Sequence, residues 1–149
     1  MVALNITETH KTAQNIKERM AFTLSVADTD HIEAADFFGI ATGNKMNDKF
    51  ARSGLHAQKS KNVDAPVVTD FPITLECKVK QLQHSDAGFR VLGEIVNVLA
   101  DEKVLDENGR VDPAKLNAFV FDQFQSGYYA IGEKVGQAWK TGAGLMKKD

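Results

Sequence analysis

The sequence predicts a mainly β (α+β) fold, an antiparallel barrel with short peripheral helices. Three observations predict it. Stretches 73–83 and 89–99 are apolar and alternating, separated by the polar run His84-Ser85-Asp86-Ala87-Gly88, so they read as a half-buried antiparallel hairpin. Shorter apolar stretches at 2–6 and 21–26 have the length and residue types of strands. Strand-like and helix-like segments follow one another without a regular strand–helix–strand rhythm, which argues against a parallel sheet.

The elements follow in chain order. VALNI at 2–6 reads as a short buried strand. It is followed by a polar stretch, 7–12, in which Thr9 or Thr12 is placed to cap a helix over 13–20. AFTLSV at 21–26 alternates as a strand. Asp28 to Asp30 breaks it, and Asp30 with Glu33 has the spacing of a capping box for a helix IEAADFFG that Gly39 ends. A loop at 40–44 leads to a second short helix over 45–53, with Gly54 as its stop. Residues 56–72 read as loop, with two prolines and several polar residues. In the strand at 73–83, Ile73, Leu75, Cys77 and Val79 share one face, and Thr74, Glu76, Lys78 and Lys80 the other. Asn108-Gly109 marks a turn within the acidic segment 101–112, and Pro113 suits the first turn of a helix. Phe119-Val120-Phe121 reads as a short strand. The adjacent Tyr128 and Tyr129 would face opposite ways in an extended segment, 133–140 reads as a closing helix, and 142–149 reads as a frayed tail after a single domain over 1–141.

Composition narrows the function. The chain has 149 residues, 43% hydrophobic and 26% charged, with a formal net charge of -2 and no long run of one sign. Nothing in it points to nucleic acid or to a membrane surface, and no stretch has the roughly 20 apolar residues of a membrane span. The single cysteine, Cys77, cannot form an internal disulfide and fits a reducing, cytoplasmic setting. Its place in an alternating strand makes it a packing residue. Glycine-rich dinucleotide, P-loop, zinc-protease and serine-hydrolase motifs are missing, and the four histidines lack metal-ligand spacing.

Two segments carry candidate chemistry. Thr9-His10-Lys11-Thr12 lies between a strand and a helix, where hydroxyls, a cation and free N–H groups can hold an anion such as phosphate. Read plainly, the same residues are a solvated helix cap. Thr42-Gly43-Asn44-Lys45-Met46-Asn47-Asp48-Lys49-Phe50 has small residues that let backbone approach a flat ligand, with Lys45 or Lys49 to meet an anion or a ring carbonyl. Its plain reading is a glycine loop capping an amphipathic helix. The aromatic run from Phe119 to Trp139 could stack on a ring or pack a subunit interface, ordinary core packing being the commoner use.

Six pieces in order carry a resemblance: HKTAQNI at 10–16, AFTLSVAD at 21–28, AADFFGIATGNKMNDKFARSGL at 34–55, APVVTDFPITLECKV at 65–79, GEIVNVLADEKVLDENGRVD at 93–112 and SGYYAIGEKVGQAW at 126–139. Together they resemble the flavin reductase family, in particular its flavoredoxin-like branch. The resemblance implies a split antiparallel β-barrel that pairs into a homodimer, with FMN near the subunit interface. It implies NADH or NADPH as the donor that reduces the flavin, or electron exchange with another protein as acceptor. His10, Lys11 and Thr12 then correspond to part of the phosphate surface, Gly43, Asp48 and Lys49 to the loop and helix lining the flavin, and Tyr128 to the barrel end near cofactor and partner. Family members carry further strands ahead of the one at Val2, with a Ser/Thr- and Asn-containing loop that wraps the flavin. Relative to that pattern the chain is expected to be N-terminally incomplete, with an exposed barrel edge open to another chain. The alternatives to a reductase are a non-catalytic FMN-binding electron carrier and a dimerising remnant without cofactor.

Overall fold

A computed structural model describes residues 1–85 and 88–146. Four strands form the main antiparallel sheet: β1 (Val2–Ile6), β2 (Ala21–Val26), β5 (Ile73–Ser85) and β6 (Gly88–Ala100), in the order β1-β6-β5-β2. Leu4 lies opposite Val91 and Leu24 opposite Leu75. The sheet curls into a half-barrel with a few short helices, as the alternation of its strands predicts. Asp86 and Ala87 of the expected hairpin turn lie outside the described residues.

The core forms where helix α1 (Lys11–Arg19) lies on this sheet. Ala13 and Ile16, three residues apart and so on one helical face, pack with Phe22, Cys77, Phe89 and Val91. Cys77 is fully buried among them. The helix begins after His10 with no side-chain cap, so neither Thr9 nor Thr12 caps it as expected. It ends where Met20 turns left-handed at φ 52° and donates its N–H to the Ile16 carbonyl at 2.9 Å. Gly93, opposite Val2, lies beneath the ring of Phe22; a Cβ there would sit 2.6 Å from its Cζ.

Helix α2 (Ile32–Ile40) follows a 3-10 turn over Thr29–His31. The expected Asp30–Glu33 capping box is not made. His31 Nδ1 instead bonds Asp28 Oδ1 at 2.5 Å, and the helix passes through Gly39 to end at Ile40. The expected helix over 45–53 shrinks to α3 (Lys49–Arg52), because 42–46 is taken up by turns in which Lys45 and Met46 both donate to the Thr42 carbonyl. Gly54 stops it at φ 71°.

Residues 56–72 are not simply loop. β3 (Ala57–Lys59) and β4 (Pro66–Val68) make a hairpin against the sheet. The segment joining them, 60–65, changes the reading of β5. Glu76, expected on a solvated face, is 1% exposed. Its carboxylate accepts from the Ser60 hydroxyl, from Asn62 Nδ2 at 2.7 Å and from Asn97 Nδ2 at 2.6 Å. Buried residues therefore occur on both faces of the strand, Thr74 and Glu76 on one and Ile73 and Cys77 on the other.

After β6, a 3-10 turn and the Asn108-Gly109 turn lead to α4 (Pro113–Leu116), capped by the Asp112 carboxylate, which accepts from the Ala114 N–H at 2.8 Å. β7 (Phe119–Asp122) and β8 (Gly127–Ala130) form a hairpin. Tyr128 OH donates to Asp36 Oδ1 at 2.7 Å, fastening this hairpin to α2. The expected helix over 133–140 is not formed: the chain runs on without regular structure to a 3-10 turn at Ala143–Met146, because the segment has no packed face in the protomer to support it. Lys147, Lys148 and Asp149 of the expected tail lie outside the described residues.

Candidate functional site

The polar turn before α1 and the loop after α2 meet. Asn44 Nδ2 donates to the Thr9 carbonyl at 2.7 Å, and Gly43 comes so close to Lys11 that a Cβ on it would stand 3.3 Å from the Lys11 Cβ. Between the two stretches lies an open cleft of about 710 Å3. His10, Lys11 and Thr12 line one side; Gly43, Met46, Lys49 and Phe50 line the other.

The α1 side is rich in unused donors. Among the described residues no acceptor takes the amide hydrogens of Lys11 and Thr12, the first two of the helix, nor the Thr12 hydroxyl or the His10 ring. Lys11 Nζ has only a long bond to Gln14 Oε1, at 3.4 Å. Free amides, a hydroxyl and an ammonium at a helix N-terminus suit a dianionic group.

The opposite wall is apolar. Phe38 and Phe50 stack with ring centroids 6.2 Å apart and planes 9° from parallel. Lys49 runs beneath this wall. Its ammonium donates to the carbonyls of Phe38 at 2.8 Å and Ala41 at 2.6 Å, and lies 5.5 Å from the centre of the Phe38 ring. Burial pushes its pKa down. The lysine therefore closes the C-terminus of α2, and Lys11 is the cation facing the cleft with little else to hold.

Of the residues singled out from the sequence, His10, Lys11, Thr12, Gly43 and Lys49 line this cleft. Asp48 and Tyr128 do not: Asp48 is exposed and accepts from Arg52 Nε at 2.8 Å, while Tyr128 is held by Asp36. Sequence reasoning did not single out Asn15 or Phe38; Asn44, Met46 and Phe50 lay inside the candidate segment 42–50, without their roles as tie and wall. For Phe38 and Phe50 a signal existed, since both fall in the resembling segment 34–55. For Asn44 the partner is a backbone carbonyl, which leaves no mark on residue identity. Among the described residues, no cluster of His, Cys, Asp or Glu is placed to hold a metal ion, and no helix is long and apolar enough to cross a membrane.

Residues 1–125 match the family model described as flavin reductase like domain. The chain belongs to the flavin reductase-like family. The flavoredoxin of Desulfovibrio vulgaris (Miyazaki F) is 34% identical, with a TM-score of 0.87 over 94% of this chain and 74% of that one. The flavoredoxin from Methanosarcina acetivorans, at 22% identity, has a TM-score of 0.89 over 97% of this chain and 75% of that one. An FMN-binding domain of a flavin reductases-like enzyme from Shewanella baltica OS155, 19% identical with a TM-score of 0.75 over 91% of this chain and 72% of that one, shares the fold. No curated protein matched. Membership in this flavin-binding family agrees with the half-barrel sheet, and the donor set at α1 together with the aromatic wall fits a phosphorylated flat ring.

Proposed function

We propose that this flavin reductase-like protein binds FMN in the cleft between α1 and the 41–50 loop, works as a homodimer in the cytoplasm, and passes electrons from NAD(P)H through the flavin to an acceptor. The observation that carries the reading is the shared cleft: free donors of His10, Lys11 and Thr12 stand across from the Phe38–Phe50 wall, with Asn44 fixing the distance between them. The α1 amides, the Thr12 hydroxyl and the Lys11 ammonium hold the phosphate; Gly43 lets the loop backbone approach, and Lys49 keeps the wall in place from behind. Asp48 and Tyr128 have no part in the proposal. When bound, FMN supplies the redox chemistry, so the protein needs no general base of its own. The likeness to flavoredoxins and to FMN-binding flavin reductases-like domains supports the choice of flavin.

The test is a titration of the full chain with FMN and, in parallel, with riboflavin, followed by visible absorbance and flavin fluorescence. FMN should bind at least tenfold more tightly, because only it carries the phosphate. NADH or NADPH added with free FMN as acceptor should then be consumed steadily. Equal affinity for the two flavins, or none for either, would remove the phosphate-site reading.

A further inference from the structure

We propose that the flavin cleft continues past Thr12 into a second cavity and that this cavity holds the adenylate half of FAD, so that the chain takes the dinucleotide more tightly than FMN; the inference rests on the phosphate-site reading above. The second cavity, of about 700 Å3, lies between α1 and the β3–β4 hairpin. That volume is in the range of small-molecule sites, roughly 300–1,000 Å3. Thr12 and Asn15 line both this cavity and the cleft, so the two spaces adjoin across one turn of α1. Among the described residues neither side chain has a hydrogen-bond partner. The junction thus stands where the FMN phosphate is placed. That phosphate is also the group through which FMN is joined to adenylate in FAD. A ligand continuing from it along α1 enters the second cavity.

The walls are fixed by contacts within this chain. Arg19 Nη1 donates to Asp64 Oδ2 at 2.7 Å, joining the end of α1 to the segment between β3 and β4. The Thr23 hydroxyl donates to the Pro66 carbonyl at 2.6 Å and holds the hairpin to β2. Thr12, Asn15 and Arg19 fall at i, i+3 and i+7, a polar stripe along one face of α1. Phe22, Ala57 and Pro66 add apolar surface for a flat base, and Gln58 adds an amide for its hydrogen-bonding edge. The charges lining the cavity cancel, Glu18 and Asp64 against Arg19 and Lys59. A balanced lining favours no further anion, whereas adenosine is neutral. The second phosphate of FAD would stay at the junction, beside Thr12, Asn15 and the Lys11 ammonium.

The full chain is titrated with FAD, FMN and riboflavin, read by flavin absorbance and by calorimetry. FAD should bind about tenfold more tightly than FMN, because the adenylate adds contact area and a second charge-assisted phosphate bond. FMN should in turn bind more tightly than riboflavin. Ala57→Trp, at an exposed position of β3, fills the second cavity. It should remove the advantage of FAD and leave FMN affinity within about twofold. FAD no tighter than FMN, with FMN still ahead of riboflavin, overturns the inference and leaves the phosphate site standing. Riboflavin as tight as FMN, or no flavin bound, overturns both. A folded Ala57→Trp protein that keeps the FAD advantage, or that loses FMN to the same extent, also overturns the inference. Should that variant fail to fold, the comparison of FAD with FMN on the parent chain decides.

Discussion

Asn44 donates its side-chain amide to the backbone carbonyl of Thr9 at 2.7 Å, joining two segments 35 residues apart. The bond holds the loop after α2 against the turn before α1, and so sets the width of the cleft. Asn44→Ala removes it. The bond is exposed, so stability should fall by only about 0.5–1 kcal/mol, a few degrees in Tm. FMN affinity should fall more, about tenfold, because the two walls are no longer registered. Thermal unfolding beside flavin titration checks the difference; equal loss in both would mean the bond is merely structural.

Lys11→Ala and Thr12→Val probe the phosphate end. A charge-assisted hydrogen bond to phosphate contributes roughly 1.5–3 kcal/mol, so FMN affinity should fall by about 10- to 100-fold for Lys11→Ala and less for Thr12→Val. Riboflavin affinity should stay within about twofold for both, since it presents nothing to these donors. A parallel loss for the two flavins would place Lys11 elsewhere on the ligand.

Gly93→Ala tests the core. The new Cβ would lie 2.6 and 2.8 Å from two ring carbons of Phe22 and 3.3 Å from Val2 Cγ2. Phe22 is packed in the core and has little room to retreat, so the substitution should cost about 1–3 kcal/mol. Denaturant unfolding reads this as a lower midpoint at unchanged slope.

Glu76 predicts a pH dependence. Its carboxyl is held below the usual glutamate range, first by the Ser60 hydroxyl, against the opposing effect of burial, with Asn97 and Asn62 adding to it. The folded pKa is thus lower than the unfolded value of about 4.3. The group therefore contributes stability that is fully present above the unfolded value and is lost as pH falls through the folded one. Glu76→Gln replaces an acceptor with an amide whose N–H2 faces other donors, at a cost of about 1–3 kcal/mol near neutral pH. The variant's stability should then decline less steeply below about pH 4.5 than the parent's. Parallel acid limbs would show that Glu76 does not control this range.

How much of this was legible beforehand follows from what kind of information each feature needs. β1, β2, β5 and β6 were readable because a half-buried strand alternates with period two, and Asp112-Pro113 marked α4 through local capping chemistry. β3 and β4 were not, since three residues are too few to show a period. The resembling segments placed His10, Lys11, Thr12, Gly43 and Lys49 at the cleft, but not the direction of the Lys49 ammonium, which packing turns onto the end of α2.

By itself the sequence determined the strands, the hairpin of β5 and β6, the absence of an internal disulfide and the two segments that carry donors and glycine, because all of these are written in residue type and spacing. Only the tertiary structure decided that Glu76 is buried, that Asn44 reaches Thr9, that Asp48 and Tyr128 point to other partners and that 131–141 is left without a surface to fold on. Each of those depends on which distant segment arrives to cover a residue, and a helical or alternating pattern says what a segment can bury without saying what will bury it.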